Sequence, residues 1–515
     1  MHRSGAGNPP FDKYPGQYNA AMFELPSPIY RAAQVRALDR FASERCGIPG
    51  YSLMTRAGEA AFRLMRTRWP AAERITVLCG PGNNGGDGYV IARLALGAGL
   101  TVRVVALSDP VALKGDARRA WQDLIAAGGA AVEWQDAELD RAELVVDAIF
   151  GTGLDRPMPR EYVERIEKLN ASGRPLLAID LPSGLDADSG QPLSAAVQAD
   201  ACISFVALKI GLFVGQGPNC AGQLFFDDLG VPPAPADIGP PIAERMMDAS
   251  IGRLLPRRAR TAHKGDHGRV LIVGGGIGMP GAVRLAGEAC LRAGAGLVTV
   301  ATRAVNVPAI VGSRPELICH GVEDVAAIDP LIERADAIAI GPGLGQDAWA
   351  RALFDRVIAS ARPLLIDADA LNLLAAKPSK RTDWVLTPHP GEAARLLGVD
   401  ASVVQRDRLD ALRALVERYG GVVTLKGAGT LVGMQGIVPG LCDRGNPGMG
   451  VAGMGDVLTG IIAGIWAQTR DLHESACVGV LVHALAGDAA ARRGERGMLA
   501  SDLFAQLPSL INMGA

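Results

Sequence analysis

Aromatic residues make up only 5% of the 515-residue chain, and its eight cysteines include no CxxC pair. No window reaches the roughly 18 uninterrupted apolar residues of a membrane helix. Each lack excludes something. Cys46, Cys79, Cys202, Cys220, Cys290, Cys319, Cys442 and Cys477 are scattered, several of them inside apolar runs such as "ITVLCG" and "ADACISFV". Buried thiols in a reducing compartment are therefore expected, not disulfides or a zinc cluster. The N-terminal "MHRSGAGNPPFDKYPGQYN" lacks the apolar centre of a secretory signal. Neither sign of charge dominates: 52 basic against 54 acidic residues leave a net charge of −2. No long-range field then favours nucleic acid or an anionic membrane, and any bound anion must be held by local geometry. The expectation is a cytoplasmic protein with small-molecule partners, no nucleic acid and no membrane, as a monomer or a homo-oligomer.

What is abundant is glycine, 64 residues, within a chain that is 49% hydrophobic. That mix suits tightly packed α/β layers, and the length exceeds one core. The clearest break is "GVPPAPADIGPP", 230–241, whose five prolines cannot join a helix or a central strand. The expected organisation is a flexible tail, 1–26, a first domain, 27–231, a Pro-rich linker, 232–244, and a second domain, 245–515. In the first, "RITVLCG", "LTVRVVAL", "AELVVDAIFGTG", "RPLLAIDLPSG" and "ADACISFVALK" read as buried strands, with a helix at "GYVIARLALGAG". In the second, "GRVLIVGG", "GLVTVAT", "ADAIAIGPG", "RPLLIDADA", "DWVLTPHPGE" and "GVVTLKGAGTLVG" do the same. Continuous apolar strands separated by helices indicate parallel sheets covered on both faces. Ligands bind such sheets at the carboxyl ends of the strands, where these polar loops gather.

The densest signal is "NPGMGVAGMGDVLTG", 446–460, in which Gly448, Gly450, Gly453 and Gly455 precede Asp456 and an apolar helix. A Gly-rich turn entering a helix aims backbone amides at one point, where the dipole also favours an anion. Asp456 could serve merely as a helix cap, but capping does not require the preceding glycines. An acid beside an anion hole is what phosphorylation of a hydroxyl needs: the carboxylate takes the proton and the amides stabilise the phosphoryl group. In the first half, "CGPGNNGGDGYV", 79–90, is a second strand-to-helix turn suited to an anion, without the Gly-Lys-Ser/Thr of a P-loop. In a parallel sheet Asp147, Asp180 and Ser183 fall on the same edge as that turn. One sequence points elsewhere: Gly276-x-Gly278-x-x-Gly281 satisfies a dinucleotide fingerprint, and the next strand ends in Arg303, as in an NADP-dependent oxidoreductase. That reading leaves "GMGD" and "LKGAGT" unexplained.

"GMGD" is similar to the GxGD signature of the ribokinase-like superfamily. Together with "HKGDHGRVLIVGGGIGMPGA", "RAGAGLVTVAT", "RPEL", "GPGLG", "DADALN", "TPHPGE", "LKGAGT" and "NPGMGVAGMGDVLTG", the second half resembles the ADP/ATP-dependent NAD(P)H-hydrate dehydratases, motif by motif and in order. The resemblance implies a ribokinase-like α/β sandwich that phosphorylates the hydroxyl of the S-epimer of NADH or NADPH hydrate and then expels phosphate. It implies Asp456 as base and hydrate contact; Ala282, Gly345 and His389 as further hydrate contacts; and Lys426, Gly427, Ala428, Gly429, Thr430 and Gly455 at the nucleotide. Mg²⁺ is expected with that nucleotide, and ADP, giving AMP and phosphate, is favoured over ATP. Without the resemblance, "KGAGT" is also readable as a plain connection and His389 as a surface residue.

The "NNGGD", "GTGLDRP", "IDLPSG" and "SFVALKIGL" motifs of the first half resemble the NAD(P)H-hydrate epimerases, often fused ahead of the dehydratase. This implies a Rossmann-like three-layer sandwich. The hydrate pocket would be lined by Asn83, Asn84, Gly85, Gly86, Asp87, Gly151, Thr152, Gly153, Leu154, Asp155, Arg156, Pro157, Tyr162 and Asp180. It also implies K⁺ held by Asn84, Asp147 and Ser183, whose hard oxygens suit such an ion. Asp180 is the expected acid/base, and Lys209 is either a second one or structural. A small-molecule kinase in the second half, or a merely binding first half, are the alternatives to hydrate repair.

Overall fold

The computed structural model describes residues 25–134 and 136–514, so most of the expected tail, 1–24, lies outside the described residues. Contacts divide the described chain into two compact units, 25–243 and 244–514. The Pro-rich stretch sits by contacts with the first unit, where the Gln34 side-chain amide donates to the carbonyls of Ile238 (3.3 Å) and Pro240 (2.9 Å).

Strands of the first unit are β1 (Pro28–Tyr30), β2 (Arg74–Cys79), β3 (Thr101–Ala106), β4 (Ala131–Val132), β5 (Leu144–Ala148), β6 (Leu176–Ile179), β7 (Ala201–Phe205), β8 (Leu208–Lys209) and β9 (Gln223–Asp227). Seven form one sheet of order β4-β3-β2-β5-β6-β7-β9, parallel at every pairing. β5, β6 and β7 are buried at every residue, as a sheet sandwiched between two helical layers requires. On one face Val77, Val146 and Ile179 pack with the helices Gly50–Arg68, Asn83–Gly97 and Gly115–Ala126. The alternate residues Leu78, Val145 and Ala178 are fully buried on the other. β2 and β5 flank the point where strand order reverses, the usual ligand crevice of an open α/β sheet.

The second unit holds β10 (Ala243–Arg245), β11 (Arg269–Val273), β12 (Leu297–Thr302), β13 (Ile318–Gly321), β14 (Ala337–Ile340), β15 (Leu364–Ile366), β16 (Trp384–Leu386), β17 (Val422–Leu425), β18 (Thr430–Met434) and β19 (Gly440–Cys442). The order is β13-β12-β11-β14-β15-β16-β17-β18-β19-β10. Pairing is parallel from β13 to β17, antiparallel on both sides of β18, and parallel again between β19 and β10. The segment "GVVTLKGAGTLVG", in which "KGAGT" reads as a connection after a strand, is thus a hairpin whose turn is "KGAG": its two glycines at φ 137° and 65° reverse the chain. Helix Leu472–Ala491 is the one described helix long and apolar enough to cross a membrane, and 67% of its most apolar window is buried inside the unit.

The helix that carries Asp456, Met454–Thr469, crosses helix Pro280–Arg292 at very short range. A Cβ at Gly460 would lie 2.1 Å from the Ala286 carbonyl oxygen, and one at Gly464 would lie 2.6 Å from that of Cys290. No real Cβ tolerates backbone at that distance, so these glycines set the crossing. Gly460→Ala gains roughly 1 kcal/mol of helix propensity but forces the two helices apart. Overpacking of this kind costs about 1–3 kcal/mol, and we expect net destabilisation, read as a lower melting temperature of the second unit by calorimetry.

Two candidate active sites

In the second unit the loops after β11, β14, β15, β16 and β17 meet at the carboxyl edge of the sheet, around Asp367. Asp367 is 1% exposed. One of its oxygens accepts from the Lys426 ammonium (2.8 Å) and the Thr387 hydroxyl (2.8 Å), the other from the Thr459 hydroxyl (2.7 Å). Burial opposes its charge, but Lys426 and the hydroxyls outweigh it, so its pKa sits below the ordinary range. Burial likewise opposes the charge on Lys426, and Asp367 and Glu392 (3.8 Å) overcome that and raise it. The pair is fixed in its ionised form.

Asp456 stands beside this pair in the first turn of its helix, half-buried. Gly453 caps the helix at φ 91°, a left-handed conformation that costs glycine nothing. A Cβ at Gly455 would sit 3.4 Å from the Lys426 ammonium and 3.7 Å from Asp367, so its absence leaves the turn open above the pair. The other two glycines do different work: Gly448 packs against the Glu495 carbonyl, 2.6 Å from a Cβ, and Gly450 faces open space on all but one side. No protein donor among the described residues reaches the Asp456 carboxylate. Burial, then the Asp367 charge, push its pKa up to about 7, with Lys426 pulling the other way and Asp369 adding to the rise. Such a carboxyl is a proton acceptor matched to neutral pH.

His389 caps helix Pro390–Leu397: its Nδ1 accepts from the amides of Gly391 (3.0 Å) and Glu392 (3.4 Å), and the ring stays half-exposed. The Gly345 amide donates to Asp369 (2.8 Å). Ala282 lies against Gly343, whose Cβ would be 3.0 Å from its own. In the hairpin turn the Thr430 hydroxyl donates to the Gly427 carbonyl (2.8 Å) and accepts from its amide (3.2 Å). Arg303, the residue suggestive of an NADP site, is already engaged by Glu323 (2.7 Å) and Asp347 (3.2 Å) over the Trp349 ring. It is not waiting for a phosphate.

In the first unit Asp180 follows β6 at φ 67°, strained for a non-glycine residue and worth a functional question. Its carboxylate pairs with the Lys209 ammonium, which is 1% exposed and also donates to Ser204 (3.0 Å) and the Phe205 carbonyl (2.9 Å). Asp87 and Asp39 lie in the same field. Burial first, then Asp180 and Asp39, raise Asp87 well above the carboxylate range. Asp39 reaches about 6 for the same reason: protein crowds its inner side, Lys209 partly offsets this, and Asp180 adds to it. One lysine among three acids leaves protons on some of them.

Asn83, Asn84, Gly85, Gly86 and Asp87 form the first turns of helix Asn83–Gly97. Close packing explains part of that motif, since a Cβ at Gly85 would lie 2.1 Å from the Gly80 carbonyl oxygen. Neither amide atom of the buried Asn84 has a protein partner. Asp147, fully buried, accepts from the Ser183 hydroxyl (2.6 Å) and amide (2.8 Å); burial pushes its pKa up to about 6 despite them. The Ser183 hydroxyl also accepts from the Phe150 amide (2.8 Å), and Gly151 lies between Asn84 and Asp180. Thr152, Gly153, Leu154, Asp155, Arg156 and Pro157 continue as an accessible loop. The Tyr162 hydroxyl donates to the Leu107 carbonyl (2.8 Å), with its ring 5.0 Å from that of Phe150.

The two units match known proteins in sequence. A sequence profile described as NAD(P)H-hydrate dehydratase matches residues 270–509, and one described as YjeF-related protein N-terminus matches residues 50–211. The bifunctional NAD(P)H-hydrate repair enzyme of Coxiella burnetii is 46% identical over 485 residues, 94% of this chain and 99% of that protein. The chain belongs to this family. The Escherichia coli repair enzyme is 44% identical over 494 residues, 95% of each chain. A ribokinase-like superfamily protein from Enterococcus faecalis superposes with a TM-score of 0.50 at 31% identity, covering 53% of this chain and 96% of that one. The second unit therefore has the ribokinase-like fold.

Three residues of these two clusters escape sequence reasoning. Asp39 lies on helix Ala32–Glu44, outside every motif. A signal exists only in hindsight: Arg36, one turn earlier, donates to the Thr152 carbonyl (2.7 Å) and ties that helix face to the pocket loop. Asp367 falls within "DADALN", but its role as the acceptor of three elements depends on residues up to 92 positions away. Glu392 accepts from the His389 amide (2.8 Å) while facing Lys426. Because the Asp367 charge raises Asp456, we expect Asp367→Asn to move the Asp456 titration to lower pH. Carbon-13 NMR of labelled carboxyls would read the shift, and an unmoved titration would contradict this electrostatic account.

Proposed function

We propose that the chain interconverts the R and S hydrates of NADH and NADPH in its N-terminal unit. Its C-terminal unit would dehydrate the S form, with ADP as phosphoryl donor, giving AMP and phosphate. The observation that carries the reading is the Asp456 carboxyl, pushed up to about 7 and half-open in the first turn of a glycine-entered helix. It takes the proton from the C6 hydroxyl as that oxygen attacks the terminal phosphoryl. The helix amides, Gly455 and the hairpin turn Lys426–Thr430 receive the phosphates. The C6–O bond of that phosphate ester then breaks, phosphate departing with the bonding pair, and transfer of a C5 proton to the departing phosphate or water restores the ring double bond. Ala282, Gly345 and His389 line the hydrate side. Among the described residues no three His, Cys, Asp or Glu side chains form a metal cage, so Mg²⁺ would be carried mainly by the nucleotide phosphates. It would neutralise their charge.

In the N-terminal unit Asp180 acts as acid/base at a carbon bearing both nitrogen and hydroxyl, as one of those bonds opens and recloses. Lys209 orients its carboxylate, and Asp87 and Asp39 keep protons at hand. A potassium ion fits the unpartnered Asn84 oxygen, the Asp147 carboxylate and the Ser183 hydroxyl. Bound there, it would hold the loop Phe150–Gly151 against substrate phosphate and offset the burial that raises Asp147.

With nucleotide, the intact protein is expected to consume a racemic hydrate mixture completely, measured by recovery of the absorbance of reduced nicotinamide. Asp456→Asn should lower dehydration about 10²–10⁴-fold and leave epimerisation intact, while Asp180→Asn should do the reverse. Full dehydration by Asp456→Asn would end the kinase-like reading, and a stable phosphorylated product would point to a small-molecule kinase. The same assay with ADP and with ATP decides the donor.

The pH profile gives an independent check. Asp456 must be deprotonated to act, so kcat/KM for dehydration should fall as pH drops through about 7. A profile flat down to pH 5 would remove Asp456 as the base.

A further inference from the structure

The hairpin turn between β17 and β18 rests on a buried cation that no motif includes. Arg408 opens helix Arg408–Tyr419 and is 3% exposed. Its Nη2 donates to the carbonyls of Leu425 (3.1 Å), Lys426 (3.1 Å) and, more weakly, Gly429 (3.5 Å), and its Nη1 donates to the Gln405 side chain (3.0 Å). The Nε has no protein partner. A Cβ at Gly427 would lie 3.0 Å from the guanidinium, so that glycine makes room for it beneath the turn. No carboxylate pairs with Arg408 among the described residues. Arg245, buried to a similar degree, is by contrast held by Asp443 through two bonds (2.9 and 2.7 Å).

Carbonyl oxygens satisfy the donors of a guanidinium without cancelling its charge, and an uncompensated buried charge is unfavourable. Burial lowers its pKa only to about 10, so it stays protonated at neutral pH. Drawing the carbonyls of Leu425, at the end of β17, and of Lys426 and Gly429 in the turn inward also determines which way its peptide groups point. The amides of Ala428 and Gly429 have no protein acceptor among the described residues. The turn therefore presents spare donors above a fixed positive charge, the makings of an anion seat.

We infer that Arg408 is a positioning residue for nucleotide binding: it holds the turn Lys426–Gly429 in its amide-out form and supplies the charge that a nucleoside diphosphate's phosphates compensate. This rests on the dehydratase reading of the second unit. The test uses the full-length protein and steady-state dehydration with ADP varied at saturating hydrate. Arg408→Gln is expected to raise the KM for ADP at least about tenfold, with kcat at saturating ADP reduced less than about threefold and the KM for hydrate unchanged. Arg408→Lys, which keeps the charge, should recover most of the loss. The stabilisation of the second unit by ADP, read as a melting-temperature shift, should shrink in Arg408→Gln and persist in Arg408→Lys.

An unchanged KM for ADP in Arg408→Gln overturns the inference, as does equal damage from both substitutions or a parallel loss of affinity for hydrate. Gly429→Val, which obstructs the turn itself, separates the two levels. If it raises the KM for ADP while Arg408→Gln does not, only the role of Arg408 fails. If dehydration proceeds but Gly429→Val also leaves that KM unchanged, the nucleotide does not sit on this turn and both fall.

Discussion

A single buried carboxylate organises the C-terminal site. Asp367 takes hydrogen bonds from Thr387 after β16, Lys426 after β17 and Thr459 on the Asp456 helix. Burying an unpaired carboxylate would be prohibitive, and removing one partner from a buried pair typically costs about 3–5 kcal/mol. The three donors therefore cannot drift. Their elements are thereby locked in one register, and the Asp456 helix is docked with its first turn over the pair. The close crossing at Gly460 and Gly464 fixes the same helix from the far side. Precision at the carboxyl of Asp456 is inherited from both constraints, because a helix held at its flank and its base has little freedom left.

The N-terminal unit uses a related device to different effect. There too a buried lysine at the end of one parallel strand pairs with an aspartate at the end of another. In the C-terminal unit the paired acid, Asp367, is sealed in and Asp456, driven up to about 7, stands beside it. In the N-terminal unit the paired acid, Asp180, is itself accessible, and the neighbouring Asp87 and Asp39 are the ones driven toward protonation. A dehydratase needs a base facing a phosphoryl group; an epimerase must return the proton it removes. Opposite arrangements of lysine and acids answer those two demands.

Sequence and structure agree most where the determinants are local. Buried parallel strands were readable from β-rich apolar runs such as "RPLLAIDL" and "ADAIAIGPG", because burial on both faces leaves no polar alternation to confuse them. Their carboxyl ends then put Asp147, Asp180, Ser183, Asp367 and Lys426 at one edge of their own sheet. Two-residue β4 and edge strand β13 carry too little apolar sequence to be seen, and β9, with only three apolar residues between Gln223 and Asp227, is too short to stand out. The hairpin at "KGAG" was missed because its two arms are both apolar and its turn reads equally as a strand-to-helix loop. Asp39 and Arg408 escaped for a further reason. A lone acid or arginine on an amphipathic helix looks like a solvated face until the partner loop, which is set by tertiary packing, is known. Only distant contacts reveal the purpose of such residues.

An acid placed beside an anion hole carries a difficulty that the surrounding cations resolve. Asp456 already titrates near neutrality because burial and Asp367 oppose its charge. A nucleotide arriving in the proposed seat brings further negative charge, which would protonate the base just when it is needed. Lys426 acts against that shift, as does the helix N-terminus, and any Mg²⁺ carried by the nucleotide would join them. Lys426 is tied to Asp367, and much of its field is spent there; Arg408 has no such partner. A positive charge without a carboxylate beneath the phosphate seat does more than attract the ligand. It offsets the ligand's own charge, so that the neighbouring carboxyl can remain ionised in the loaded site.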